Sequence, residues 1–120
     1  MSGTFEDLRA WQCAMMLALD IYQSTSHFPK QEIYGLTSQL RRAAVSVPSN
    51  IAEGKGRSSD RELCQFLNHA RGSIYEVQTQ LMLAQRIGYL DKEQSTQLLA
   101  QAAEVGRLLN GLMKALRPAA

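Results

Sequence analysis

Apolar residues along this 120-residue chain recur at alternating spacings of three and four, the period of helices buried along one face. From about Thr4 to Thr25, Leu8, Trp11, Met15, Ala18 and Tyr22 form one stripe. Ala10, Ala14, Leu17 and Ile21 form a second stripe on a different face. A helix apolar on two sides must be covered on two sides, so one stripe is expected to meet the chain's own core and the other a second subunit. Trp11 and Tyr22 read as core. His27-Phe28-Pro29-Lys30 then breaks the pattern, because proline disfavours helix in the residue before it. The second helix carries Leu36, Leu40, Ala43, Val47 and Ile51 and ends at Gly54. Pro48 lies inside it and removes the amide that would bond the carbonyl of Ala44, which predicts a kink.

Gly54-Lys55-Gly56-Arg57-Ser58 reads as a loop, and Ser59 followed by Glu62 has the spacing of a capping box opening a third helix. Leu63, Phe66, Leu67, Ala70, Ile74, Val77, Leu81, Ala84 and Ile87 continue that helix for about 28 residues, roughly 42 Å. Gly88 is the expected stop residue. Asp91 caps a fourth helix with the stripe Leu98, Ala102, Val105, Leu109, Leu112 and Leu116, and Pro118 closes it. No strand-like alternation of any length occurs. Four amphipathic helices with short connections predict one all-α domain over residues 1–120. Its expected form is an antiparallel up-down-up-down four-helix bundle with crossings of about 20°.

Composition narrows the partners. The net charge of +2 is nearly balanced, so nucleic-acid binding has to rest on where the charge sits. Arg41, Arg42, Lys55, Arg57, Arg61 and Arg71 oppose only Glu53, Asp60 and Glu62 in the middle of the chain, and the basic excess is local to that stretch. Cys13 and Cys64 are isolated and lack CxxC spacing, which argues for two reduced, largely buried thiols over a disulfide or zinc site. The first residues lack the pattern of a signal peptide, and no apolar run approaches the ~20 residues of a membrane span. A cytoplasmic protein without membrane contact is expected.

The segment Leu36–Arg57 (LTSQLRRAAVSVPSNIAEGKGR) resembles the signature of the bacterial four-helix bundle family, also known as the 23S rRNA intervening-sequence protein family. Phe5-x-x-Leu8-x-x-Trp11, Phe28-Pro29, Glu32-x-Tyr34-Gly35-Leu36, Phe66-Leu67-x-x-Ala70-x-Gly72-Ser73-x-x-Glu76 and Gly88-Tyr89-Leu90 also fit it. The resemblance implies the bundle and a ring-like homopentamer. One related branch is similar to the accessory variability determinant of diversity-generating retroelements, which implies nucleic acid and a reverse transcriptase as partners. Members of that branch are usually strongly basic, unlike this chain.

Two groups of side chains are candidate sites. Gln39, Ser46, Asn50 and Glu53 lie beside the core line of the second helix, with Arg42 on the outer edge. A buried carboxylate there requires a cationic partner, and Arg42 is expected to serve Glu53 or Glu76. Arg42, Ser46, Asn50, Glu53 and Glu76 are thus expected to form a structural polar network holding register around Pro48. The second group is basic: Lys55 and Arg57 in the glycine-bearing loop, extended by Arg41, Arg61 and Arg71, as contacts for RNA or DNA phosphate. A fivefold ring would multiply such weak contacts.

Catalysis finds little support. Cys64 and His69 are five apart and point in different directions, and neither HExxH nor Glu-x-x-His occurs, so no catalytic residue, metal or cofactor is assigned. Tyr34 and Tyr89, near helix ends, are expected to cover the end of the bundle. The leading expectation is a non-enzymatic, homo-oligomeric adaptor that engages nucleic acid or a nucleic-acid enzyme. The alternative is an oligomeric protein-interaction scaffold with no nucleic-acid contact.

Overall fold

The computed structural model describes residues 3–116. Four α-helices follow one another: α1 (Arg9–Thr25), α2 (Leu36–Lys55), α3 (Asp60–Arg86) and α4 (Lys92–Ala115). No strand occurs among the described residues. Helix α1 packs on α2 and α4, and α3 packs on the same two, so the four enclose one core in a bundle of 47 × 23 × 19 Å. This is the four-helix bundle the periodicity predicts. Pro118, expected to close α4, lies outside the described residues.

The core is built from the predicted stripes of α2, α3 and α4. Leu40, Val47, Ile51, Leu67, Val77, Leu81, Val105 and Leu109 are each 0% exposed. Each such side chain contributes about 1.5–3 kcal/mol relative to its exposed state. In α1 the assignment of faces differs from expectation. Ala14, Leu17 and Ile21 are fully buried, whereas Met15 and Tyr22 are 37% and 45% exposed and Trp11 is half-buried. The second stripe is therefore the core stripe, because it is the one that faces both α2 and α4. Leu8 and Ala18 of the first stripe are buried at its edges.

The helix ends have local causes. Residues Phe5–Asp7 form a 3₁₀ turn rather than the first turn of α1. The Asp7 carboxylate accepts from the Thr4 amide (3.1 Å), and Leu8 is extended, which separates this turn from α1. Gly35 precedes α2 and has no side chain to cap it. Glu32 does so from the neighbouring 3₁₀ turn, accepting from the Leu36 amide at 3.0 Å. Helix α2 then runs without interruption through Pro48, which is buried. Ser59 caps α3 by accepting from the Glu62 amide (3.1 Å), but the Glu62 carboxylate accepts from the Ser59 hydroxyl (3.2 Å) and not from its amide. Only half of the expected capping box forms. Asp91 and Gln94 complete both halves of theirs at α4.

Gly88 stops α3 as predicted. Its φ is +89°, and the amides of Gly88 and Tyr89 return to the carbonyls of Gln85 and Ala84 (3.0 and 2.9 Å), the paired bonds of a Schellman motif. That motif aims Tyr89 at the α1–α2 turn. Its ring lies 5.3 Å from that of Phe28, and its hydroxyl donates to Glu32 Oε2 at 2.7 Å. Tyr89 thus covers the end of the bundle. Tyr34 does not: it is 95% exposed, because it precedes Gly35 on the outer side of the turn.

Candidate functional site

The polar stripe of α2 divides between two fates. Asn50 donates through Nδ2 to the Ser46 carbonyl (2.8 Å) and hydroxyl (3.0 Å), and the Ser46 and Ser73 hydroxyls share a 2.8 Å hydrogen bond across to α3. These three residues form the polar joint between the helices. The expected charged members take no part in it. Glu53 faces solvent and pairs with Arg57 at 3.2 Å, the local partner one turn away. Arg42 and Glu76 make no ion pair or hydrogen bond among the described residues, so the predicted Arg42 partnership with Glu53 or Glu76 is absent. Arg42 and Glu76 instead stand on opposite walls of a cavity of about 380 Å³, with Gln39, Ala43, Ser46 and Gln80 completing it. Ser73 and Gln80 were missed. Their signal was present as a polar stripe at 73, 76 and 80, the counterpart of 39, 42 and 46 on α2.

The basic positions do not form one patch. Arg41 reaches back to α1, donating through Nε to Thr25 Oγ1 (2.8 Å) and through a terminal nitrogen to the Tyr22 carbonyl (3.2 Å). Its guanidinium also lies 4.5 Å from the centroid of the Tyr22 ring. Arg41 therefore caps the C-terminus of α1, where carbonyls lack helical partners. Lys55 lies about 21 Å further along α2, at 1.5 Å per residue. Arg57 packs over Phe66 at 4.8 Å besides pairing with Glu53. Arg71 bridges helices, donating to Asn110 Oδ1 (2.9 Å) and Asn68 Oδ1 (2.7 Å). Lys55 and Arg61 alone of the five make no ion pair or side-chain hydrogen bond among the described residues.

The glycine-bearing loop is shorter than expected, because α2 extends to Lys55. Gly54 is buried within it, where the helix passes α3 so closely that a Cβ would lie 2.7 Å from Phe66 Cβ. The amides of Gly56 and Arg57 donate to carbonyls of Ala52, Glu53 and Gly54, closing α2. Those donors are committed to the helix end and do not project toward a phosphate.

An apolar groove was not foreseen as a site. Trp11, Met15, Ala18, Leu19, Tyr22, Val45 and Pro48 line it between α1 and α2, enclosing about 380 Å³. Leu19 and Val45 are 54% and 42% exposed. The two thiols, Cys13 and Cys64, are free and half-buried rather than buried. No group of His, Cys, Asp and Glu side chains suited to a metal occurs among the described residues. None of the described helices is long and apolar enough to cross a membrane. The perturbed acids lie at the bundle end. The Leu36 amide, and then the Tyr89 hydroxyl, hold the Glu32 carboxyl below its ordinary range, while the bond to Glu32 pushes the Tyr89 phenol up.

The fold and its end contacts define an all-α four-helix bundle. A protein with unknown function from the S23 ribosomal protein family of Bacteroides thetaiotaomicron VPI-5482 has the same fold, with a TM-score of 0.79. The two are 23% identical over 88% of this chain and 98% of that one. The sequence model of the 23S rRNA-intervening sequence protein family matches residues 6–111, and the chain belongs to that family. No curated protein matches it.

Proposed function

We propose that the protein is a non-enzymatic helical interaction module that self-associates through the apolar face shared by α1 and α2. The observation that carries this reading is the groove between those helices. Met15, Leu19, Tyr22 and Val45 are each more than one-third exposed around it. Contiguous apolar surface of this kind is characteristic of interaction sites, and it lies on the side of α1 left over once the core stripe is buried. The resemblance adds a ring-like homopentamer as the assembly. Analytical ultracentrifugation tests the reading. The wild-type chain sediments as an oligomer, and Leu19→Glu combined with Val45→Glu returns it to a folded monomer. A wild-type chain that sediments as a monomer across micromolar concentrations refutes it.

A second reading keeps nucleic acid as a partner, with a reverse transcriptase as the associated enzyme implied by the resemblance. Lys55 and Arg61 favour it, since their charges are uncommitted among the described residues and flank the α2–α3 turn. Repetition of that turn around a ring would add weak phosphate contacts together. In a gel-shift series on structured RNA, binding weakens steeply as salt rises, and Lys55→Ala with Arg61→Ala reduces both affinity and salt slope. Absence of binding at low salt leaves the protein-interaction scaffold without nucleic acid.

A further inference from the structure

Helix α3 is apolar on two sides. Leu67, Ile74, Val77 and Leu81 are buried in the core, yet Tyr75, Met82, Leu83 and Ile87 are between 45% and 59% exposed on the face turned away from it. A helix of this kind is covered on both sides. Helix α4, by contrast, has no large apolar side chain exposed to that degree among the described residues. The chain therefore carries a second unpartnered apolar surface besides the α1–α2 face. The two lie on different flanks, because α1 and α3 sit diagonally across the bundle and do not pack on each other.

A surface that pairs with itself closes a twofold dimer and leaves any other apolar surface bare. Two different surfaces that pair with each other join copies head to tail, and both are then covered. The two surfaces here match in level, charge and size. The Ser46–Ser73 hydrogen bond marks one level on α2 and α3. Toward the Gly88 end, Val45 and Tyr75 lie about 1.5 and 3 Å beyond it, and Glu76 and Arg42 about 4.5 and 6 Å. A neighbour rotated about an axis parallel to the helices keeps these levels, which sets its Tyr75 opposite Val45 and its Glu76 opposite Arg42. Arg42 and Glu76 both edge the α2–α3 cleft, so they fall on the same margin of the contact with opposite charge. A flank of the bundle measures 47 by 19 Å, room for the roughly 800 Å² per partner that a stable interface buries.

We infer that the α1–α2 face of one copy is covered by the outer face of α3 from the next. This pairing rests on the reading that the chain self-associates through the α1–α2 face, and it names the surface received there. Tyr75 enters the groove among Met15, Leu19, Tyr22 and Val45, as the kind of aromatic anchor that dominates interface energetics. At the rim, Arg42 and the neighbour's Glu76 set the direction in which copies join. Helix α4 is left facing solvent.

Analytical ultracentrifugation of two variants, alone and mixed, tests this. Tyr75→Glu with Leu83→Glu alters the α3 surface, and Leu19→Glu with Val45→Glu alters the α1–α2 face. All four side chains are exposed, so both chains keep the wild-type circular dichroism spectrum. Each variant sediments alone as a monomer. Mixed in equal amounts they form a 1:1 heterodimer and nothing larger, because one intact copy of each surface remains. Hydroxyl-radical labelling supplies a readout on the wild-type chain. Tyr75 and Met82 lose most of their reactivity in its assembly relative to the monomeric Leu19→Glu, Val45→Glu chain. A Tyr75→Glu, Leu83→Glu chain that assembles like the wild type, or two monomeric variants that do not combine, overturns the pairing with α3 and leaves self-association standing. A monomeric wild-type chain overturns both.

Discussion

Gly54→Ala is a one-carbon change whose cost can be worked out from the bundle geometry. The added Cβ would lie 2.7 Å from Phe66 Cβ and 3.0 Å from Leu63 Cδ1. The leucine methyl ends a flexible side chain and can turn away. Phe66 Cβ is bonded to the α3 backbone, so relief there requires the two helices to part by several tenths of an ångström. Overpacking of this kind costs about 1–3 kcal/mol. Replacing glycine in a helix returns at most about 1 kcal/mol, and less in a last turn. The net expectation is a loss of about 1–2 kcal/mol, or a Tm lower by roughly 4–8 °C. Gly72→Ala is the matched control, because nothing lies within 4 Å of its Cβ in the middle of α3. The same substitution there stabilises by about 0.5–1 kcal/mol. Urea titrations followed by circular dichroism give both values. A Gly54→Ala chain as stable as Gly72→Ala would refute the close passage of α2 over α3.

Three further substitutions concern side chains near the helix ends. Glu32 has a folded value depressed below its ordinary 4.5, first by the Leu36 amide and then by the Tyr89 hydroxyl. Its contribution is therefore complete above about pH 5 and lost as pH falls through the folded value, so Glu32→Gln flattens the acid limb of a stability profile. Tyr89 is raised above its ordinary 10.0, first by its bond to Glu32, so its contribution is lost as pH rises through that higher value. Tyr89→Phe removes the alkaline limb and part of the acid one. Arg41→Ala removes two hydrogen bonds and the contact with Tyr22, costing about 1–2 kcal/mol in urea unfolding. If Arg41→Ala lowers RNA affinity without lowering stability, its assignment as the α1 cap is wrong.

The helices were legible because their apolar spacing carries their period, and Gly88 and Asp91 carry their boundaries. The faces of α1 were less so. Both of its stripes have the same spacing, and only the positions of α2 and α4 decide which is buried. The polar site was legible in composition but not in pairing. Glu53 lies in the last turn of α2 and Arg57 just beyond its end, and that local ion pair took precedence over the longer reach from Arg42. Arg41 and Arg71 counted as free charges until the tertiary fold supplied Thr25 and Asn110. The phosphate-loop expectation failed at Gly54, whose missing Cβ serves a close helix approach and not a flexible turn.

The contacts among Phe28, Glu32 and Tyr89 also set where the bundle opens. They join the α1–α2 turn to the α3–α4 turn, so two helical hairpins are riveted together at one end. The opposite end is bridged by the α2–α3 turn and by the packing of Gly54 and Arg57 on Phe66 beside it. Spontaneous opening should then resemble tongs: the hairpins part at the start of α1 and the finish of α4 while the riveted end stays closed. Amide exchange would slow progressively toward Leu36 and Ala84, and removal of one phenol hydroxyl at Tyr89 would level that gradient.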